Sequence, residues 1–356
     1  MLAGRSVIWH TVWSETYSNP RYAELIPRLS QLFFAPIRQR DGLRGRVDAA
    51  VARRSRFFER RTLGWYRRAG IRLLLTYAAE QAQVFGGPTV VDLDDPSFDT
   101  REQAALRAPN IQHVIVTTSQ LAVRVRASNP TVDITVIPQG VDLERARSAQ
   151  AEQLRTAILT RSGVSPDSVV VGYHAPVLCL STEESFQGRT FETFHMDVLL
   201  SQAQRLWSEG FSFPLVLVGR PSPTVREIAR EERRLVLAGY VDRGRLFDWI
   251  GTFDIGTYPR TVDFQGRQSV KLFEYMANGA AIVAMRTTET EFLGASGTGY
   301  LALDSGEFGG LLRALLVDAE KRLGLVERAR AVVADHDWKI LAQRYDQILK
   351  SVMDAE

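Results

Sequence analysis

Short apolar runs separated by helical segments recur along the whole chain, and that rhythm restricts the folds open to it. "VVVGY" (Val169–Tyr173) and "LVLVG" (Leu215–Gly219) are apolar almost without a break, the pattern of strands covered on both faces in a parallel sheet. Further strands are expected at Ser6–Thr11, Ile71–Thr76, Thr89–Leu93, His113–Thr117 and Ile134–Ile137. Others are expected at Leu235–Leu237, Ile255–Tyr258 and Ala281–Ala284. Between them lie stretches of helical period such as "DVLLSQAQRLWSEG", closed by Gly210. This alternation predicts βαβ units and a doubly wound α/β architecture.

A length of 356 residues is long for one core and comfortable for two. The polar stretch within "VIPQGVDLERARSAQ" suggests a boundary near residue 150. The expected division is 1–150, 151–335 and a closing helix over 336–356. That helix, "DWKILAQRYDQILKSVM", carries an apolar stripe at Trp338, Leu341, Tyr345, Ile348, Leu349 and Val352, which has to be buried. No apolar run reaches the length of a membrane span, and the N-terminus lacks a secretory pattern, so a cytoplasmic protein is expected. The single cysteine, Cys179, excludes an intrachain disulfide and suits a reducing compartment.

Only four of the 44 basic residues are lysines. Arg38–Arg72 holds 12 arginines against three acids, a local net of +9. Such a segment fits a solvated helical surface, or a peripheral contact with anionic membrane lipid. Nucleic acid is disfavoured, because aromatic residues interleave with the arginines only in "RRTLGWYRR".

The segment richest in chemistry is "SVKLFEYMANGAAIVAM", Ser269–Met285. Ser269 can cap a helix that runs to Asn278, and Gly279 can end it. Lys271 and Glu274 lie on one face near the start. A helix N-terminus favours phosphate, a lysine adds a point charge, and a carboxylate can accept two hydroxyl hydrogen bonds from a ribose. The alternative is an exposed i,i+3 pair. Ligands in open α/β sheets bind at the strand ends, which favours the first reading.

"VKLFEYMANGAAIVA" resembles the "K-x-x-EYMA-x-G-x-PVVA" segment of retaining glycosyltransferases of the GT-B fold (group 1, family 4-like). "ITVIPQGVD", "FPLVLVGRP", "LVLAGYVDRGRLFDWIGTFDIGTYP" and "HDWKILAQRYDQIL" are similar to other family segments in order and spacing. The resemblance implies a GT-B fold: two Rossmann-like doubly wound domains facing across a cleft, the first for the acceptor and the second for the donor. The final helix would cross back to the N-terminal domain. It implies a retaining, metal-independent glycosyltransferase of glycan biosynthesis. The donor would be a nucleotide-diphosphate sugar serving as co-substrate, with no cofactor and no metal.

By position, the resemblance puts Arg189 on the donor diphosphate with Lys271, His195 where the family has a lysine, and Glu274 on the ribose. Gly239 and Tyr240 match the turn that reads the nucleobase. Gln268, Ser269 and Val270 match the backbone that cradles the phosphates. Gly266 falls where many members have a glutamate near the transferred sugar, and Asp263 is a candidate stand-in. The family's Gly-Gly loop has no counterpart in "VIWHTVWSETYSNP", and His10 fits either a structural or a site role. In "VVDLDDPSF", Asp94 and Asp95, with Asp92 beside them, fit either an acceptor-orienting role or a helix-capping turn. Two other readings stay open: a sugar-nucleotide epimerase or phosphorylase on the same fold, and a non-catalytic GT-B-like scaffold subunit.

Overall fold

The computed structural model describes residues 7–10, 20–25, 28–29, 32–34, 63–68, 70–94, 96–181, 196–263 and 266–355. Arg189, His195, Asp95 and most of Arg38–Arg72 lie outside them. The chain forms two compact units. One comprises Met1–Gly140, Gly266–Gln268 and Trp338–Glu356, and the other Val141–Gln265 and Ser269–Asp337. The chain changes unit at Gly140/Val141 and at Asp337/Trp338, with Gly266–Gln268 also assigned to the first unit, where the sequence suggested 150/151 and 335/336. The polar stretch is not a linker: it forms helices Leu143–Arg147 and Glu152–Ser162 of the second unit. Asp142 caps the first of them by accepting from Arg145 N at 3.0 Å.

The first sheet contains β1 (Val7–His10), β2 (Leu32–Phe34), β3 (Leu73–Thr76), β4 (Thr89–Leu93), β5 (Ile111–Val116) and β6 (Asp133–Val136), in the spatial order β2-β1-β3-β4-β5-β6. Its neighbouring strands all pair in parallel. This is the flavodoxin-like doubly wound order. Its core joins Leu73, Leu75, Val90 and Ile115 to Trp338, Leu341 and Tyr345 of helix Trp338–Asp354. The apolar stripe of the last helix thus belongs to the N-terminal unit. A buried polar network ties that helix to the sheet. Arg21 donates to Asp92 Oδ1 at 3.2 Å, to the carbonyls of Ile137 (3.1 Å) and Pro138 (3.0 Å), and to the Tyr345 hydroxyl. Tyr345 in turn donates to Asp92 Oδ2 at 2.8 Å.

The second sheet contains β7 (Val171–Leu178), β8 (Leu215–Pro221), β9 (Leu235–Gly239), β10 (Ile255–Tyr258), β11 (Ala281–Met285) and β12 (Gly299–Ala302). Their order, β12-β11-β10-β7-β8-β9, is the Rossmann arrangement, and the order reverses between β7 and β10. Glycine permits two close approaches in this unit. A Cβ on Gly172 would lie 2.2 Å from the Phe253 ring, and one on Gly219 (φ 149°) would lie 1.9 Å from the Ala175 carbonyl oxygen. β2 and β12 were not anticipated, since "LFF" and "GYLA" are too short to show a period. β7 runs past Tyr173 to Leu178, with a register shift against β8 between His174 and Val177. Among the described residues no helix is long and apolar enough to cross a membrane.

Candidate functional site

The helix Val270–Asn278 follows β10, one of the two strands at the reversal point of the second sheet. Its sequence explains its pose. Leu272, Phe273, Tyr275 and Met276 are fully buried, and Gly279 (φ 77°) takes the left-handed conformation that ends it. Ser269 occupies the N-cap, but its side chain makes no capping hydrogen bond. Glu274 does not form the exposed pair that its spacing from Lys271 allows; it is 1% exposed.

The neighbour of Glu274 is His174 on β7, the other strand at the reversal. His174 Nε2 lies 3.1 Å from Glu274 Oε2. The contact is close but not aligned as a hydrogen bond, and both Glu274 oxygens are buried without a hydrogen-bond partner. Burial alone would push the Glu274 carboxyl up. His174, within hydrogen-bonding reach, and the charges of Arg243 and Lys271 outweigh it and hold the group below the usual carboxylate range. Burial pushes the His174 imidazole down despite Glu274, and Lys271 and Arg243 push it further. The pair at neutral pH is therefore an ionised carboxylate beside a neutral imidazole.

Lys271 is half-buried, with Nζ 5.9 Å from the centre of the Tyr258 ring. Burial, helped by the Arg260 charge, pushes its ammonium down to about 8, against the pull of Glu289 and Glu274. Arg260 is itself held by Glu289 Oε2 (3.3 Å) and the Tyr258 hydroxyl (3.1 Å). A lysine that titrates near 8 gives a testable consequence. Affinity for a nucleoside diphosphate should fall as pH rises through about 8, when the ammonium is lost, and Lys271→Arg should flatten that fall because guanidinium keeps its proton. Calorimetric titration with UDP between about pH 6.5 and 9.5 measures it; a profile equally flat in both proteins would exclude Lys271 from phosphate contact. The sign for stability is opposite. The unfolded chain binds more protons between about 8 and 10.5, so this group's contribution to stability rises with pH across that window.

The other expected site residues are distributed as follows. Gly239 has φ 74° with open space around it, and Tyr240 beside it is 66% exposed with Arg220 stacked 4.6 Å from its ring centre. Ser269 and Val270 start the Glu274 helix, whereas Gly266 and Gln268 belong to the first unit. There Gly266 (φ 88°) accepts from Thr118 Oγ1 at 2.5 Å, and Gln268 Oε1 accepts from Gln139 N at 2.8 Å. Asp94 is held by Gln139 Nε2. Asp92 is fully buried on Arg21, so it faces the core and not a ligand. Asp263 is engaged by Thr288, whose Oγ1 donates to it at 2.6 Å. Among the described residues no group of His, Cys, Asp and Glu is arranged to hold a metal. His174 was missed in the sequence. It stands one residue past the expected strand, and only its nearness to Glu274 marks it.

Comparisons with known proteins bear on this geometry. Residues 185–318 match the family model "Glycosyl transferases group 1". No curated protein matches the chain. Among solved structures, Anabaena Alr3699/HepE in complex with UDP and glucose is similar at TM-score 0.67 and 15% identity, covering 97% of this chain and 99% of that one. A glycosyltransferase from Rickettsia africae is similar at TM-score 0.68 and 10% identity, over 99% and 100%. WaaG, a glycosyltransferase involved in lipopolysaccharide biosynthesis, is similar at 0.63 and 12%, over 96% and 99%. The two parallel sheets share the GT-B fold of these structures, and residues 185–318 match the group 1 glycosyl transferase model.

Proposed function

We propose that this protein transfers a glycosyl group from a nucleoside-diphosphate sugar to an acceptor hydroxyl, with retention of configuration and without a metal. The observation that carries the reading is the Glu274 carboxylate: buried, ionised, without hydrogen-bond partners and placed at the reversal point of the Rossmann sheet. A buried charge without aligned partners is costly, and a ribose diol would satisfy it with two donated hydrogen bonds. Lys271, at the start of the same helix, would meet the diphosphate with the backbone of Ser269 and Val270. Arg189 and His195 would add to that charge, and Gly239 with Tyr240 would meet the nucleobase. Gln268, Gly266, Asp94 and Asp95 are proposed to contact substrate, with the N-terminal unit taking the acceptor.

In this scheme the C1–O bond to the diphosphate breaks and the acceptor oxygen bonds to C1 on the same face. The acceptor proton passes to the departing phosphate, whose charge Lys271 and the helix start stabilise. The HepE structures with UDP and UDP-glucose make UDP-sugars the first donors to try. A cytoplasmic location and a role in glycan biosynthesis belong to the same proposal. So does membrane contact through Arg38–Arg72, whose described end exposes Trp65, Arg67 and Arg68.

The test is a thermal-shift screen with UDP, GDP, ADP, dTDP and their sugars. One nucleotide at about 100-fold its Kd is expected to stabilise the fold by about 2.7 kcal/mol. No response to any would overturn the reading in favour of a scaffold. Sugar-nucleotide turnover without acceptor would instead favour an epimerase or phosphorylase. The anomeric configuration of the product, followed by NMR, decides retention, and activity that collapses with a chelator would refute metal independence.

A further inference from the structure

We infer that His174 is a positioning residue for the nucleotide site: it fixes one oxygen of the Glu274 carboxylate so that the rest of that group is presented to the vicinal hydroxyls of a ribose. The inference rests on the ribose-binding reading of Glu274 and deepens it.

Three features set His174 in place. Its ring meets Tyr275 edge-on, with centroids 5.4 Å apart and planes at 89°. Its backbone N–H donates to the Tyr275 hydroxyl at 3.2 Å, binding β7 to the helix that carries Glu274. The register shift of β7 begins directly after it, and such irregularities re-aim side chains. The imidazole is 9% exposed and the carboxylate 1%, so water does not compete freely for their 3.1 Å contact.

The charges facing this pair come from two other places. Lys271 lies one turn earlier on the Glu274 helix, and Arg243 begins the helix Arg243–Ile250. Both are cations, so they hold Glu274 ionised without orienting it. His174 differs because it touches Oε2. A carboxylate offers about four lone-pair sites. With Nε2 only 3.1 Å from Oε2, a small turn of the carboxylate on ligand binding aligns the Nε2–H donation. That bond takes one site, leaves the others for two hydroxyl donors and limits the carboxylate's rotation. Oriented groups of this kind lose less entropy on binding.

The experiment compares ribo- and 2′-deoxyribonucleotides. Binding of UDP, GDP and ADP and of their 2′-deoxy counterparts is measured by calorimetry for the wild type, His174→Leu and His174→Gln. In the wild type at least one ribonucleotide is expected to bind about tenfold more tightly than its deoxy partner, the worth of one hydrogen bond to a charged group. In His174→Leu that preference should fall to about threefold or less, with the affinity for the deoxy partner unchanged. His174→Gln, whose amide can donate to Glu274, should restore it. A His174→Leu protein that keeps the full ribose preference overturns the positioning role and leaves the ribose site standing. A wild type without any ribose preference overturns the ribose site, and the inference with it. Equal loss of ribo- and deoxyribonucleotide binding in His174→Leu shows a structural role and also overturns the inference.

Discussion

Replacing Glu274 with glutamine is expected to weaken nucleotide-sugar binding by about 10- to 100-fold, and to lower the melting temperature only slightly. Hydrogen bonds to a charged group are worth about 1.5–3 kcal/mol each, and about 1.4 kcal/mol is tenfold in affinity. An amide keeps the shape of the side chain but loses the charge and one acceptor. The folded protein loses little in exchange. Both carboxylate oxygens are buried without an aligned hydrogen bond, so a neutral group removes the cost of burying an unpartnered charge. The carboxylate's favourable charge interactions with Lys271 and Arg243 are lost too, and because they outweigh burial in the folded protein the net change is a small loss. Strongly impaired binding with little change in stability is the signature of a residue kept for its site. Donor titration and thermal unfolding of the same variant measure both sides. A lowered melting temperature with normal turnover would show instead that Glu274 serves the fold.

Replacing Arg21 with methionine is expected to destabilise the first unit by about 3–5 kcal/mol, because it strands Asp92 as a buried, uncompensated acid. Asp92 and Arg21 are both fully buried, 3.2 Å apart, and burial already pushes the Asp92 carboxyl up. The same guanidinium holds the Ile137 and Pro138 carbonyls and packs 5.6 Å from the ring centres of Trp338 and Tyr345. Its loss should therefore release the last helix as well as the end of β4. Hydrogen exchange across Trp338–Asp354, together with urea unfolding, reads this directly. Arg21→Met combined with Asp92→Leu should recover most of the loss, since apolar groups often replace a buried pair at little cost. A single variant that costs less than about 1 kcal/mol, as surface pairs do, would show the network to be dispensable.

The two variants probe opposite kinds of buried charge. Asp92 is satisfied on several sides and serves the fold. Glu274 is held ionised by its surroundings without aligned partners. Sequence position does not separate them, since each follows or precedes apolar residues in a strand or helix. The difference lies in what the fold brings to each.

Local patterns carried much of the architecture. The buried runs Leu215–Gly219 and Ala281–Met285 are strands because an unbroken apolar segment of this length is best covered on both faces within a parallel sheet. Val270–Asn278 was readable as a helix from its apolar spacing and from Gly279, which supplies the left-handed C-cap. Lys271 and Glu274 stood out because charges there are out of place in a core helix. These signals depend on neighbours within a turn or two, where the chain itself enforces proximity.

What depended on distant residues was not readable. Arg21 meets Asp92 71 positions later and Tyr345 324 positions later, and no local period announces such a meeting. His174 looked like the tail of a strand until β7 came to lie beside β10 and the helix after it brought Glu274 to it. Readable from the chain alone were the alternation of strands and helices and the helix with its lysine and glutamate. Only the tertiary structure decided that Glu274 would be buried, which imidazole would touch it, and which aspartate would be spent on the core. Burial and long-range pairing arise when crossover connections bring remote segments together, and a carboxylate's charge, partners and purpose are set there.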